Sequence, residues 1–552
     1  MPMNTPSNSA QVPPAVTAAI YDGTFPAGVA KPVLTPAPAA QPRINGAAIF
    51  GVRPGKPVLY KIAATGQAPL LYSAQGLPPG VTLDPRTGLI SGRAPTTAGR
   101  IPVSLTVSNA LGEAHRLLDL VVGNEFCLTP PLAWNSWYAQ SEAVSDASIR
   151  RMADAMAAAG LVDHGWSYIN IDDCWSGVRH PQTKAIQGNE KFPDMAGLTA
   201  YIHGKGMKCG IYNTPWMSTY AGYIGGSADS EEADYSKYYL PQSERNSPGQ
   251  YFGRYPRGIE LGICSIGKQW MVDRDAKQFA EWGFDYVKYD WKEWTLVKDD
   301  KGVMTPAADK PVHKTEAVTK RVFDDFRAVD RDIVISLSPD HSAHEDSMVT
   351  QYTNLWRLTH DILATWEHLK APFAEEIVPR YKHTRPGHYG DLDMLQIGNL
   401  GTPNRVNTVF EPSPLTGAEQ YLQVSLWCLL SQPMLLSCDL ASLDAFTLNL
   451  ITNDEVLALN QDALVIAAHR VAHVAGVWEV WQKPLADGST AVGLFNLADE
   501  AQVISVSDEQ LGLSGARVVR DLWRQKDIGA LAGVFSAKVE PHGVVLVGIR
   551  QK

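Results

Sequence analysis

The central part of the chain alternates short apolar runs with amphipathic, helix-like runs, and this alternation restricts the fold more than any other feature. Eight candidate strands lie between residues 129 and 465: Leu132–Trp137, Tyr168–Asp173, Lys208–Asn213, Tyr286–Trp291, Ile333–Ser338, Leu355–Asp361, Met394–Asn399 and Met434–Leu440. After the first of them, Ser145 can cap a helix that ends at Gly160. Eight β/α units predict a (β/α)8 barrel. An open doubly wound sheet is disfavoured, because no GxGxxG loop follows the first strand.

The segments on either side of the barrel have other patterns. Residues 1–45 are rich in Pro and Ala and predict an extended leader. Residues 46–124 show short alternating runs between Gly and Pro turns, which predicts a β-sandwich. Residues 468–552 alternate with the β period only, which predicts an antiparallel β-sandwich. The expected protein is therefore multidomain, with a (β/α)8 TIM barrel at 129–465 between two β-sandwiches.

Composition excludes several classes of function. The 552 residues include 48 Lys and Arg against 58 Asp and Glu, a net charge of -10, so a nucleic-acid partner is not expected. No apolar run of about 18 residues is present, so no membrane span is expected. The N-terminus lacks the pattern of a signal peptide, which leaves the compartment open; a periplasmic or secreted protein fits if a leader was removed. The six Cys include no CxxC and are compatible with one or two disulfides.

Charged residues recur where the predicted barrel strands end, which is where barrel enzymes carry their active sites. These residues, with one tryptophan, are Trp134, Asp172, Asp173, Lys288, Asp290, Arg357, Asp361, Asp391, Asp393 and Asp439. Carboxylates packed together repel one another and shift their pKa values, which is costly for a purely structural role. Paired carboxylates without a nucleotide loop indicate glycoside hydrolysis, in which one acid protonates the leaving oxygen and the other acts at the anomeric carbon. No cofactor or metal is expected.

Seven motifs, in order, resemble those of glycoside hydrolase family 27, the family of the α-galactosidases and α-N-acetylgalactosaminidases. They are PLAWNSWY (131–138), YINIDDCW (168–175), GFDYVKYDW (283–291), NLWRLTHDI (354–362), DLDMLQIGN (391–399), SLWCLLSQPMLLSCDL (425–440) and VLALNQD (456–462). The resemblance runs from about residue 129 to 550 and implies a barrel, a C-terminal antiparallel domain and a retaining mechanism. The preceding β-sandwich resembles the immunoglobulin-like domains that precede many bacterial glycosidases.

The resemblance also implies the two catalytic groups. Asp290 matches the family's nucleophile, and Asp361 matches its acid/base. Lys288, two residues before Asp290 on the same strand face, should favour the anion that attacks. Asp361 must hold a proton, so we expect its pKa to be raised. His360 is expected to point away from it, because neighbouring strand residues alternate between faces.

Further positions match the family's sugar-binding residues. Asp172 and Asp173 are implied to hold the 4- and 6-hydroxyls, and Trp134 to form a wall of the pocket. Lys288 and Arg357 match hydroxyl-binding cations. The remaining two candidates are Ser338 at the strand-5 position and Asp393, which is expected either to support the site or to touch substrate. Asp439 is expected to be structural.

Three departures from the family concern specificity. Ser338 stands where α-galactosidases carry the Glu that binds the 2-hydroxyl. N-acetylgalactosaminidases also carry Ser there, but with a small residue three places on, where this chain has His341. We expect His341 or the long insertion at 215–268, read as a lid or an aglycone wall, to bind the 2-hydroxyl instead. Trp291 and Lys292 follow the nucleophile, so the disulfide that the family forms there is absent.

The sequence therefore predicts a retaining exo-glycosidase that hydrolyses terminal α-galactosides of an oligosaccharide or polysaccharide. Alternatives within the family are an α-N-acetylgalactosaminidase, a β-L-arabinopyranosidase and an isomaltodextran-type glucan hydrolase. Intact Asp172 favours a hexose pocket, because arabinopyranosidases carry a longer acid at that position. A non-catalytic carbohydrate-binding protein is disfavoured by the intact catalytic pair with Lys288 and Arg357. No motif specifies an oligomeric state.

Overall fold

The computed structural model describes residues 20–253, 265–293, 296–298, 300, 302, 304–306, 313–339, 341–401, 409–531 and 533–552. Within these residues the chain forms an N-terminal β-sandwich, a central barrel and a C-terminal antiparallel domain, which confirms the predicted fold class. No helix in the described part is long and apolar enough to cross a membrane. Five of the cysteines lie there and all five are unpaired. Cys264 lies outside the described residues.

The central domain contains eight short strands, termed barrel strands 1 to 8: Leu132–Asn135, Tyr168–Asn170, Lys208–Asn213, Tyr286–Asp290, Val334–Ser338, Leu355–Arg357, Tyr389–Asp391 and Met434–Leu436. They form one parallel sheet in the order 7-6-5-4-3-2-1-8. Beyond strand 7, the N–H of Leu395 donates to the carbonyl of Leu435 (2.8 Å), and Leu395 bridges to Leu436. The free edge of strand 8 is thereby bonded, and the sheet closes into a ring.

The helices around the barrel follow from the sequence signals between the strands. They are Trp137–Gln140, Asp146–Ala158, Met195–Gly204, Val272–Trp282, Glu316–Ala328, Asp346–Tyr352, Trp366–Lys370, Gly417–Leu429, Ala445–Ile451 and Asp454–Asn460. The second begins at the predicted cap, where Ser145 and Ser148 exchange side-chain to backbone hydrogen bonds of 3.2 and 2.9 Å. Gly160, at φ +72°, follows its end and takes the left-handed backbone that a stop at this point requires.

Most barrel strands are shorter than predicted, and strands 6 and 7 show the differences that matter for the site. Strand 6 ends at Arg357 and not at Asp361, so the residues from 358 onward form a loop. Strand 7 is Tyr389–Asp391, whereas the apolar run predicted as a strand at 394–399 follows it. The pairing of Tyr389 with Leu355 and of Asp391 with Arg357 fixes this register, which a three-residue strand containing a glycine does not reveal in sequence.

The N-terminal domain packs two sheets against each other. One contains Ile49–Val52, Leu71–Gln75, Gly99–Asn109 and Gly112–Val122; the other contains Pro57–Lys61, Val81–Leu83 and Leu89–Arg93. Arg53 attaches this domain to the barrel. Its backbone N–H donates to Asp332 (2.9 Å), its Nε also bonds Asp332, and its Nη atoms donate to the carbonyls of Arg327 (2.7 Å) and Arg331 (2.6 Å). This buried, fully bonded guanidinium docks the sandwich on the underside of the barrel.

The C-terminal domain has a six-stranded sheet and a three-stranded sheet. Its own strands are His469–Val474, Trp478–Pro484, Thr490–Asn496, Gln502–Ser507, Arg517–Asp521, Lys526–Leu531, Val534–Val539 and Val544–Gln551. The third strand of the smaller sheet is Tyr21–Asp22, which pairs in parallel with Ala537 and Lys538. The described part of the predicted leader is therefore not a free linker. Further along, the N–H of Thr35 donates to Asn449 of the barrel (2.7 Å).

The helix Gly417–Leu429 lies between the barrel and the C-terminal domain, and all its residues are buried. Its Ser425 hydroxyl accepts a hydrogen bond from the indole N–H of Trp523 (2.9 Å). A helix that is buried on every side needs partners on both sides. The C-terminal domain provides the second partner, so the two domains share one continuous apolar core.

Candidate active site

A cavity of about 550 Å³ opens at the C-terminal ends of the barrel strands, a size typical of small-molecule sites. Its lining residues are Trp137, Tyr138, Asp172, Asp173, Tyr212, Tyr220, Lys288, Asp290, Lys292, Ser338, Pro339, Arg357, His360, Asp361, Leu363, His368, Asp393 and Met394. Eight of the nine predicted site residues are among them. The barrel topology brings together side chains separated by more than 200 positions in the sequence.

One half of the cavity is organised by Lys288 on strand 4. Its Nζ lies 2.9 Å from Asp172 Oδ2, in a pair that is almost fully buried. Burial opposes a charge on Lys288, but Asp172 and Asp290 outweigh it and raise the pKa of Lys288. Asp290 ends the same strand, and its Oδ1 is buried without a hydrogen-bond partner among the described residues. The residue itself lines the cavity, so its carboxyl group lies where a ligand would bind.

The other half is organised by Arg357 at the end of strand 6. Its Nη2 lies 3.1 Å from Asp361, and its Nη1 lies 3.2 Å from Asp393 and 3.5 Å from the hydroxyl of Ser338. The side chain of Asp361 is 67% exposed, whereas that of Asp393 is 3% exposed. Burial raises the pKa of Asp393 to about 6, although Arg357 acts in the opposite direction. The guanidinium therefore joins an exposed carboxylate at the cavity mouth to a buried carboxylate in its floor.

The pKa shifts of the two predicted catalytic carboxyl groups differ from expectation. Burial raises the pKa of Asp290, and the opposite effect of Lys288 does not cancel this rise. Removal from water would raise the pKa of Asp361, but Arg357 and Lys288 outweigh this and lower it. The sequence could not show this, because Lys288 is already engaged by Asp172 and because Arg357 bonds directly to Asp361.

Trp134 does not lie where it was predicted. It is fully buried, its indole N–H donates to the carbonyl of Cys438 (2.8 Å), and it is not among the cavity-lining residues of the described chain. The second tryptophan of the same motif, Trp137, lines the cavity instead. Strand 1 ends at Asn135, so Trp134 still belongs to the packed barrel wall, whereas Trp137 begins the short helix that follows the strand.

Asp173 binds the backbone of the strand-3 insertion. Its Oδ1 accepts from the N–H of Cys174 (2.7 Å) and its Oδ2 accepts from the N–H of Ala221 (2.9 Å). The neighbouring Tyr220 consequently lines the cavity, packed edge-on against the buried Trp216. In its described part the insertion is thus a fixed wall. The sequence identified this loop as a candidate wall, but it carried no signal that selected Tyr220.

His360 and His341 also depart from expectation. His360 lines the cavity beside Asp361, because both lie in a loop where strand alternation does not apply. His341 is buried outside the cavity lining, with Nε2 2.9 Å from Asp346 and 3.3 Å from Arg380. It therefore does not contact a ligand in this cavity.

The remaining expectations concern Asp439 and metals. Asp439 caps a short helical turn by accepting from the N–H of Ala441 (3.3 Å), a structural role as predicted. Among the described residues there is no group of three or more His, Cys, Asp and Glu side chains placed to hold a metal ion. Sequence reasoning missed Tyr138 and Tyr212, which line the cavity; the only signal for them was their place at the ends of motifs or strands.

Comparison with known proteins gives matches over all three domains. A family model described as "Alpha galactosidase A" matches residues 135–239 and 258–462. One described as "Alpha galactosidase C-terminal beta sandwich domain" matches 475–549, and one described as "Putative Ig domain" matches 41–123. Alpha-galactosidase 2 of Arabidopsis thaliana is 30% identical over 427 residues, which cover 77% of this chain and 90% of that protein.

Solved structures agree with these matches. A Bacteroides fragilis protein described as a "putative alpha-galactosidase/melibiase" has a TM-score of 0.75 at 26% identity and covers 94% of this chain and 99% of its own. A β-L-arabinopyranosidase of Geobacillus stearothermophilus shares the fold, with a TM-score of 0.61 at 24% identity over 77% of this chain and 98% of its own.

A (β/α)8 barrel that carries a carboxylate-lined cavity and an attached antiparallel domain is the architecture of a glycoside hydrolase. The matched family models cover more than half of the chain. The chain belongs to the α-galactosidase family, glycoside hydrolase family 27, as its motifs predicted.

The buried carboxyl group of Asp173 makes a prediction about stability and pH. Burial raises its pKa to about 7, above the ordinary value of 3.8, although three hydrogen bonds act in the opposite direction. Between about pH 4 and pH 7 the unfolded chain has released this proton and the folded chain retains it, so the folded state loses stability as the pH rises. An Asp173→Asn variant has no such titration.

We expect the difference in melting temperature between the wild-type protein and Asp173→Asn to be larger at pH 5 than at pH 8. Thermal unfolding of both proteins at the two pH values measures it, and all other titrations cancel in the difference. A gap that stays constant or widens at pH 8 would contradict the raised pKa.

Proposed function

We propose that this protein is an exo-acting hydrolase of terminal α-galactosides that works with net retention through a covalent glycosyl-Asp290 intermediate. The observation that carries the proposal is the position of Asp290 in the lining of a cavity whose mouth carries the exposed Asp361. A nucleophile must present a free oxygen to the anomeric carbon, and an acid must reach the leaving oxygen at the open end. The fold of the family and its named α-galactosidases support the same assignment.

The roles follow from the contacts. Asp290 attacks the anomeric carbon while Asp361 gives its proton to the leaving oxygen; Asp361 then removes a proton from the water that releases the sugar. Lys288 balances charge on Asp290 and orients Asp172, which offers its carboxylate to sugar hydroxyls. A separation of about 5–5.5 Å between the two catalytic carboxyl groups is expected for retention.

The lowered pKa of Asp361 is compatible with this cycle. Its carboxylate is largely exposed, and a bound sugar would displace the surrounding water. Desolvation disfavours the charged form, so binding would raise the pKa of Asp361 towards that of a proton donor. After the leaving group departs and water enters, the same group would return to the anionic form that a general base requires.

Asp290→Asn should abolish turnover and leave the fold intact. The amide is nearly isosteric but cannot form the covalent intermediate, so we expect kcat on nitrophenyl α-galactoside to fall by several orders of magnitude. The matched control is Asp273→Asn, which changes an exposed aspartate in the first turn of the helix Val272–Trp282. Activity near wild type in Asp290→Asn, with an unchanged melting temperature in both variants, would refute the nucleophile assignment.

The anomer released first should have the configuration of the substrate. Two displacements at one carbon restore its configuration. Proton NMR during the first minutes of hydrolysis separates the anomers before mutarotation mixes them. Initial release of the β anomer from an α-galactoside would mean inversion, and Asp290 would then be a base.

The preferred substrate should carry a hydroxyl, and not an acetamido group, at position 2 of its terminal sugar. Ser338 offers the hydroxyl that N-acetylgalactosaminidases share, but Arg357 lies 3.5 Å from its Oγ and Tyr220 lines the cavity. The sequence offered His341 and the insertion at 215–268 as candidates to bind the 2-hydroxyl. His341 is buried against Asp346 outside the cavity lining, which leaves the insertion. We therefore propose that residues of the insertion, with Arg357, replace the missing Glu.

The expected result is a kcat/KM on nitrophenyl α-galactoside at least about 10-fold higher than on the N-acetylgalactosaminide, about 1.4 kcal/mol in the barrier. A panel that adds the β-L-arabinopyranoside and an isomaltooligosaccharide tests the other family activities in the same assay. A preference for the N-acetylgalactosaminide would contradict the proposed α-galactoside specificity. Activity on the β-L-arabinopyranoside alone, or on the isomaltooligosaccharide alone, would contradict it as well.

A further inference from the structure

Asp361 occupies a segment that extends beyond the end of barrel strand 6. Strand 6 ends at Arg357, four residues earlier, and the carboxylate is largely exposed. Arg357 contacts it from below at 3.1 Å, in an ion pair with one partly solvated member. A proton donor must be held within a narrow range of positions to be effective. The barrel holds the adjacent main chain where the N–H of Ile362 donates to Asp393 (2.8 Å), and further contacts beyond Ile362 hold the rest of the turn.

These contacts begin in the helix Trp366–Lys370. Nδ1 of His368 lies 3.0 Å from the backbone nitrogen of Leu363 and 3.0 Å from the carbonyl oxygen of Asp361. According to its tautomer, this nitrogen either accepts from the N–H of Leu363 or donates to the carbonyl of Asp361. Thr365 caps the helix by accepting from the N–H of His368 (3.4 Å). The turn that carries Asp361 is thus folded onto this helix, and its position follows that of the helix.

The helix is held in turn by the C-terminal domain. The ring of Trp366 stacks on that of His542, with centroids 3.8 Å apart and planes inclined by 11°. Both nitrogens of His542 are engaged: Nδ1 lies 2.9 Å from Glu419 of the barrel, and Nε2 lies 2.9 Å from Asp499. The imidazole is therefore fixed in orientation before Trp366 rests on it.

Farther along, the same segment makes other contacts with the C-terminal domain. Phe373 packs on Phe495, with centroids 5.5 Å apart, and Glu375 pairs with Arg470 at 2.8 Å. These contacts anchor the distal part of the loop. Trp366 is nearer to Asp361 in the chain than either of them, five residues away.

We propose that the stack of Trp366 on His542 is a positioning contact for the general acid/base, through which the C-terminal domain sets the place of Asp361 at the cavity mouth. This inference rests on the proposed role of Asp361. His542 is not among the cavity-lining residues of the described chain, and it acts through Trp366 and the turn beside His368. It is a positioning residue and not a catalytic one.

A comparison of leaving groups tests the proposal. Phenyl α-galactoside needs protonation of its leaving oxygen, whereas 2,4-dinitrophenyl α-galactoside does not. The parameter to compare is kcat/KM, which reports glycosylation. We expect His542→Ala to lower it by about 10-fold or more on the phenyl substrate and by less than about 3-fold on the dinitrophenyl substrate.

Two further variants separate stacking from hydrogen bonding. His542→Phe keeps a flat ring under Trp366 and should retain most of the activity on the phenyl substrate. His542→Gln keeps a polar group towards Glu419 but no ring, and should behave like His542→Ala. The control is His473→Ala, an exposed histidine of the same domain, which should change neither substrate.

Asp361→Asn, measured in parallel, distinguishes failure of this inference from failure of the proposed function. If that variant shows no selectivity between the leaving groups, Asp361 is not the acid. If Asp361→Asn is selective, Asp361 is the acid. The positioning proposal is then wrong if His542→Ala lowers kcat/KM equally on both substrates or leaves it unchanged on both, because the stack would have a structural role alone. Melting temperatures of all variants identify any that lose activity by unfolding.

Discussion

Five aspartates line the cavity together with Lys288 and Arg357, and the rest of the site depends on how those charges are balanced. Lys288 and Arg357 each hold a separate set of carboxylates: Asp172 and Asp290 on one side, Asp361 and Asp393 on the other. Like charges at such density would otherwise stay protonated or force the strands apart. The balance is incomplete at Asp393, because burial raises the pKa of its carboxyl group more than Arg357 lowers it.

The barrel distributes the positive charge by placing Lys288 on strand 4 and Arg357 on strand 6, on either side of strand 5. Strand 5 contributes the small residue Ser338 between them, within 3.5 Å of Arg357. A larger acid at that position would add a sixth carboxyl group to the cavity. The substitution therefore changes the charge of the site as well as the contacts offered at the 2-position of a sugar.

Support for the site comes from outside the barrel on two sides. The N-terminal sandwich docks under the barrel through Arg53, and the C-terminal domain covers the helix Gly417–Leu429 and the segment that follows Asp361. Between them the strand-3 insertion is bonded to Asp173. The cavity is thus built from loops that are each attached to a neighbouring element, as a preorganised site requires.

The sequence by itself determined the barrel, the two flanking β domains, the family and eight of the cavity residues, because strand periodicity, helix caps and ordered motifs are local signals. Tertiary structure decided the rest. Trp134 is packed in the wall while Trp137 faces the cavity, His341 is taken by Asp346, and Asp361 lies in a loop beside His360. These placements depend on where a strand ends and on which distant side chain bonds to a given group in the folded chain. Neither is recorded in the spacing of residues along the chain.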